Sequence, residues 1–416
     1  VRFRVPRTAL SATVEATAPI REPTLDRAEN AVRRLPGWGA ALVIYAVGRV
    51  LSTGFFALVY FLAPVLNLPY ASHHATKPTF LQLFSSWDGK YYRQIALIGY
   101  PTQLPLDATG HVAANAWAFL PVYPWLTRGL MMTTGLSFTA AGMILSVLFG
   151  AAAAVLLYRL LAGRIGNRPA LWASACFSLG PMSFLFQVTY ADTLFLALLF
   201  TCLLLMAMRH YLLMIPFGIA AAFTHPGELA LAAALGILFI AQLVRRETVS
   251  HIERIRMIVA GLTLAAAGFA WPVIADSVTG NKSAYFDTEL AWWTGWVGRL
   301  EHFVPFTPWF DLFYRYLGAA GVVAVIALVA GFVFWLTRPG RRVLGDEILA
   351  FSGSYGAYLV AVFLPQQSIA RLLLPLSPLL GMPALSLRPR LRRVTLAVLV
   401  ALQPFAIAEL WFIFPP

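Results

Sequence analysis

FLQLFSSWDGKYYRQIALIGYPTQLPLDATGHVAANAWAFLPVYP, residues 80–124, is the longest polar interruption after the first hydrophobic run of this 416-residue chain. Asp88, Lys90, Arg93, Asp107 and His111 sit here among aromatic residues, while most of the surrounding chain is lipid-soluble. Outward from it, apolar runs of about 18 or more residues recur, each long enough to cross a bilayer as a helix. These runs imply an all-α polytopic membrane protein whose helices hold this segment at a membrane surface.

Composition agrees. The chain is 59% hydrophobic and 12% charged, against about 25% charged for a soluble domain. The net charge of +13 does not indicate nucleic acid, because most arginines fall in short connections between apolar runs. About eleven spans are expected, at roughly 38–66, 138–162, 170–187, 191–209, 211–224, 227–244, 257–278, 312–336, 347–364, 371–387 and 394–413. The segment 170–187 is broken at Gly180-Pro181 and 211–224 is short, features tolerated where backbone lines a cavity. Residues 1–37 hold no apolar core for a signal peptide and are expected to be a mobile cytoplasmic tail, with residues 38–416 a single transmembrane domain. Arginines recur in alternate connections (Arg33-Arg34, Arg164 and Arg168, Arg209, Arg245-Arg246, Arg338, Arg341-Arg342, Arg388 to Arg393). The positive-inside rule then puts the N-terminus in the cytoplasm. It puts two large loops, about 67–137 and 279–311, on the extracytoplasmic face of the cell membrane. Asp88, Asp107, Asp192, Glu228, Asp276, Asp287, Glu289, Glu301 and Asp311 gather on that side.

Phe80, Phe84, Trp87, Tyr91, Ile95 and Ile98 step by three or four and predict one face of an interfacial helix, which Gly99-Tyr100-Pro101 ends. Residues 119–130 read as a second interfacial or span-entry segment, broken at Pro121 and Pro124. Asp88 fits two roles: an N-cap, or a general base beside a ring suited to a sugar face (Trp87) and cations suited to phosphate (Lys90, Arg93). Arg371 opens a hydrophobic run, as a snorkelling anchor or as a two-toothed phosphate ligand. His225 is a structural donor or a ligand. Asp192 is a cap or an acid facing a cavity between spans. Arg49, within the first span, needs a partner or a water path. Trp292, Trp293 and Trp296 read mainly as an interfacial aromatic belt. Cys176 and Cys202 read as small buried apolar residues. No metal motif appears: His73-His74 cannot present both rings on one helix face, and there is no DxD pair or Gly-rich phosphate loop. No cofactor is expected.

Trp87-Asp88-Gly89, followed by Tyr91-Tyr92, Ile95-Ala96, Gly99-Tyr100 and Phe119-x-Pro-x-Tyr-Pro, resembles the first luminal loop of the PIG-V family of mannosyltransferases. Four further stretches resemble that family's motifs in its order: Pro181-Met-Ser183-Phe184 with Tyr190-Ala-Asp192-Thr-Leu-Phe195; Thr224-His225-Pro226; Thr279-Gly280-Asn-Lys-x-x-Tyr-Phe with Trp292-Trp293; and Ser368-x-x-Arg371-Leu-Leu-Leu-Pro375. The likeness covers roughly residues 40–385. His225 stands where the family usually has Arg, Leu372 where it often has Tyr, and Gly227 is one place early, departures that touch the acceptor side.

The resemblance implies a GT-C membrane glycosyltransferase, here a bacterial member, transferring mannose from a polyprenyl-phosphate mannose donor by inverting displacement without a metal. The acceptor it implies is a glycolipid, a glycan or a protein. It makes Asp88 the base, Arg371 with Lys90, Arg93 or His225 the clamp on the donor phosphate, and Trp87, Tyr91, Tyr92, Tyr190 and Asp192 the sugar or acceptor contacts. Two other classes share the many spans: a lipid or small-molecule transporter, for which paired or inverted halves are the expected sign and none is visible, and a non-catalytic subunit of a membrane complex.

Overall fold

The computed structural model describes residues 35–69, 78–300, 302–382 and 389–414. The expected tail up to residue 34, His73-His74, Lys77, Glu301 and Arg388 lie outside them. Residues 37–416 form one compact unit.

The protein is all-α. Among the described residues the only β pairing is an isolated bridge between Leu106 and Val112. Among the described residues, five helices are long and apolar enough to cross a membrane: Gly37–Leu62, Phe138–Ile165, His251–Thr279, Ala319–Thr337 and the C-terminal run Arg390–Ile413. Their outer faces stay apolar, Val50 at 74% and Phe61 at 70% exposure, as expected of side chains that meet lipid rather than water.

The other expected spans are present as shorter or interrupted pieces. Asp192–Ala207, Tyr211–Ala222 and Leu229–Val244 are apolar helices of under 18 residues, and Asp346–Val362 has 17. The expected span at 312–336 is split by Gly318 at φ 58° into Pro308–Leu317 and Ala319–Thr337. The described part of the expected span at 371–387, up to residue 382, holds a four-residue helix, Ile369–Leu372, and a 3₁₀ segment, Leu374–Gly381, with Pro375 and Pro378. Each proline removes a backbone donor and blocks a regular helix.

The break at Gly180-Pro181 bends Asn167–Leu179 against Pro181–Gln187 by 72°. Such a bend leaves carbonyls without helical partners, and Arg49 from the first span supplies them. Its Nη1 donates to Ser183 O at 2.6 Å and its Nη2 to Ser178 O at 3.2 Å. The rings of Tyr45 and Phe186 lie 4.9 and 5.2 Å from the guanidinium. The partner demanded by an arginine inside a span is therefore a pair of backbone carbonyls. Cys176 and Cys202 are free and buried.

Phe138–Ile165 packs on Asn167–Leu179 and Asp192–Ala207. The C-terminal run closes the other side: Gln403 Nε2 donates to Ser52 Oγ and Ser183 Oγ, and Trp411 Nε1 donates to Leu83 O at 2.9 Å. That last bond fixes the loop leading to Asp88. Two contacts join the two large loops: Arg299 Nη2 with Asp107 Oδ2 at 2.5 Å, and Asn115 Nδ2 with Thr288 Oγ1 at 2.8 Å.

Candidate active site

The interfacial helix is shorter than its periodicity predicts. A 3₁₀ turn, Gln82–Ser85, comes first, and the α-helix runs Asp88–Leu97. Its buried stripe is Asp88, Gly89, Tyr92, Ile95 and Ala96. Tyr91 is half-buried and Ile98 is 84% exposed, so the expected face is rotated. Gly99, at φ 94°, ends the helix as expected. The second segment is a continuous helix, Val122–Thr134. Pro121 and Pro124 lie at its start, where a missing N–H costs nothing, so they do not break it.

The N-cap is Trp87, held at φ 56° and ψ −117° with no side-chain capping bond. A bulky residue at positive φ is strained, and such strain marks sites that the surroundings hold in place. Here the turn before Asp192 does the holding. Thr189 N–H donates to Phe84 O at 2.9 Å. Tyr190 Oη accepts the Asp88 N–H at 3.2 Å and lies 3.4 Å from Ser86 O as donor. Gly89 lets the helix come this close, since a Cβ there would sit 2.9 Å from Thr189 Oγ1.

Asp88 is thereby released from capping and aimed at Arg371. Arg371 Nη1 donates to Asp88 Oδ2 at 2.7 Å across 283 residues of chain. Arg371 Nε lies 3.5 Å from Asp192 Oδ1 without a hydrogen bond, and its guanidinium lies 5.2 Å from the centre of the Tyr190 ring. Asp192 is the first residue of its helix, just after the N-cap Ala191. Burial raises the Asp88 carboxyl above its ordinary value, and the Arg371 guanidinium opposes that rise.

A cavity of 110 Å³ opens on this pair, lined also by Tyr92, His225, Glu289, Trp292 and Gln366. His225 stacks on Phe195 at 4.8 Å. Its Nδ1–H donates to Pro226 O at 2.6 Å, which leaves Nε2 for another contact. Burial pulls the His225 pKa down, Asp192 opposing, so the ring favours its neutral form. Beyond His225 and Pro226 lies a larger, mostly apolar space of 620 Å³, lined by Trp271, Phe286 and Tyr358 among others.

The structure thus brings together Asp88, Arg371, Asp192, Tyr92, Tyr190 and His225. Lys90 and Arg93 do not join them. Both are exposed on the far side of the helix, Lys90 lying 4.8 Å from the centre of the Tyr91 ring. Trp87 and Tyr91 are half-buried neighbours of the core, and Tyr91 stacks on Phe119 at 4.9 Å. Of the tryptophans of the second large loop, read as a belt for at least two of the three, two line the cavity. Trp293 is 6% exposed, and both Trp292 and Trp293 face the cavity. Glu289 was one acid among many in the sequence. The sign of its place was its spacing, three and four residues before that Trp pair. Among the described residues, no group of three or more His, Cys, Asp or Glu converges as a metal site.

No family model matches the chain, and no curated protein does. Among solved structures, the chain is similar to a crystal structure of the oligosaccharyltransferase of Archaeoglobus fulgidus in complex with zinc and sulfate. The identity is 13% and the TM-score 0.47, over 89% of this chain and 53% of that one. The chain spans about half the length of that protein.

Proposed function

We propose that this protein is an extracytoplasmic-facing membrane glycosyltransferase of the GT-C kind, similar to the PIG-V mannosyltransferases. It takes a mannosyl residue from a polyprenyl-phosphate donor and passes it to a hydroxyl of a glycolipid, glycan or protein. The observation that carries the reading is the buried pair of Asp88 and Arg371, 2.7 Å apart in a cavity between the outer loops. A carboxylate and a forked cation in one small cavity match the two needs of such a transfer. One group takes a proton and the other holds a departing phosphate.

In the step we propose, the acceptor O–H gives its proton to the Asp88 carboxylate. The acceptor oxygen attacks the anomeric carbon from the face opposite the phosphate, inverting it. The bond from that carbon to the phosphate oxygen breaks, and the electron pair leaves with the phosphate. Arg371 stabilises the charge that develops there, its fork matching two oxygens. With Arg371 engaged by phosphate, Asp88 loses its resting partner and becomes free to accept a proton. Asp192, at 3.5 Å from Nε, keeps the guanidinium oriented. The 620 Å³ apolar space beside the cavity suits an apolar chain on the donor or acceptor.

The test is incubation of purified protein with a panel of polyprenyl-phosphate sugars and a lipid extract. Transfer from the mannose donor, with inversion at the anomeric carbon, is the expected result. No transfer from any donor in the panel, together with movement of an unmodified lipid across vesicle membranes, would give the protein to the transporter class instead.

A further inference from the structure

The second outer loop brings side chains to the cavity that the transfer step leaves unused. Glu289, Trp292 and Trp293 line it together with Asp88 and Arg371. Glu289 lies in the last turn of the Ala284–Ala291 helix and Trp292 is that helix's C-cap. Three residues apart, they share one face. The helix is anchored from the first loop by the bond between Asn115 and the fully buried Thr288. The Trp292 ring is pinned edge-on by Tyr91 at 5.5 Å and Phe119 at 6.1 Å. Its indole N–H is buried and has no partner, an uncommon state for a buried donor. The Glu289 carboxyl is pushed up to about 7, mainly by burial, with Tyr285 opposing and Asp88 adding.

We propose that Glu289 and Trp292 form a hydroxyl-binding subsite for a single hexose, resting on the glycosyltransferase reading. A sugar hydroxyl both donates and accepts. A neighbouring pair of hydroxyls is therefore matched by one acceptor, the Glu289 carboxylate, and one donor, the Trp292 N–H. Indole surfaces at Trp292 and Trp293 supply the flat apolar contact that a sugar ring's C–H face needs. The cavity volume of 110 Å³ corresponds to on the order of eight waters, the scale of one ring rather than a chain of sugars. Arg371 in the same cavity disfavours a cationic ligand. The subsite would select the sugar while Asp88 and Arg371 act on the bond.

Saturation-transfer NMR with methyl mannoside and methyl glucoside, on the full chain in detergent, reads this without any turnover. The parent is expected to bind one of the two glycosides in preference. Glu289→Gln and Trp292→Phe are each expected to weaken that binding about tenfold to a hundredfold, the worth of a hydrogen bond to a charged or buried group. Trp292→Phe keeps a ring against Tyr91, so loss there reads the N–H rather than collapse of the loop. Sugar binding without transfer from any donor would leave the subsite standing and remove the enzyme reading. No glycoside binding by the parent, or parental binding by both loop variants, overturns the subsite whatever the transfer assay gives.

Discussion

Asp88→Asn separates chemistry from structure, because the geometry limits what else the substitution can do. The N-cap position belongs to Trp87 and the Asp88 carboxylate is engaged by Arg371 instead, so helix formation loses little. The Arg371 bond at 2.7 Å is weakened but not abolished, since the Asn carbonyl oxygen still accepts from Nη1. Arg371 also keeps Asp192 at 3.5 Å, so no buried cation is left uncompensated, the case that costs about 3–5 kcal/mol. The stability loss is therefore bounded near the 1.5–3 kcal/mol of one charge-assisted hydrogen bond. The chemical loss is larger. Asn cannot take a proton, and removing a general base costs about 10²–10⁴-fold in rate, or about 3–5 kcal/mol of barrier. The assay is transfer of labelled mannose from polyprenyl-phosphate mannose by equal amounts of monodisperse protein, with donor binding measured beside it. Asp88→Asn should bind donor and transfer almost nothing, while Asp192→Asn should lose less. Parental turnover in Asp88→Asn with collapse in Asp192→Asn would move the base to Asp192. Parental turnover in both would refute the mechanism.

Arg371→Lys should retain the fold and lose about tenfold to a hundredfold in kcat/KM, because one ammonium cannot span two oxygens; unchanged donor binding and turnover would make Arg371 a structural anchor. Arg371→Gln removes the charge that opposes the burial-driven rise of Asp88. The acid limb of the rate profile should therefore move to higher pH, since Asp88 must be ionised to accept a proton; a limb that stays in place would mean that another group controls it. Arg49→Leu should lower the thermal midpoint in detergent by orphaning the Ser178 and Ser183 carbonyls, a loss of about 2–4 kcal/mol; an unchanged midpoint would mean that water replaces the guanidinium. Cysteine placed at Ala108 should react with an impermeant thiol reagent from outside, and cysteine at Thr248 only after permeabilisation; the reverse pattern would invert the orientation and move the site to the cytoplasm.

Much of the scaffold was legible because bilayer crossing leaves a long, crude signal. The apolar runs at 38–66, 138–162 and 257–278 became the helices Gly37–Leu62, Phe138–Ile165 and His251–Thr279. The run at 371–387 is less regular than its apolar composition: Pro375 and Pro378 withhold backbone donors, and Leu374–Gly381 winds as 3₁₀.

The face of the Asp88–Leu97 helix shows where pattern reading runs out. In water, apolar residues mark the buried side, and counting from Phe84 through Trp87 to Ile98 gives that side directly. At a membrane surface, lipid and protein interior both accept apolar groups, so Ile98 can stay 84% exposed without penalty. What decides the rotation is the polar side chain that cannot face lipid unpaired. Asp88 finds its partner in Arg371, and Tyr92 follows it inward as the next residue on that stripe. The same argument explains the second loop. A tryptophan pair near a membrane reads as an anchor by composition, and only the acid three residues earlier distinguishes a cavity wall from a belt. Near lipid, then, the inward face of a helix is better sought from its ionisable residues and their distant counter-charges than from its hydrophobic stripe. By that rule Asp88, Asp192 and Arg371 turn toward one another, and Lys90 and Arg93 stay exposed.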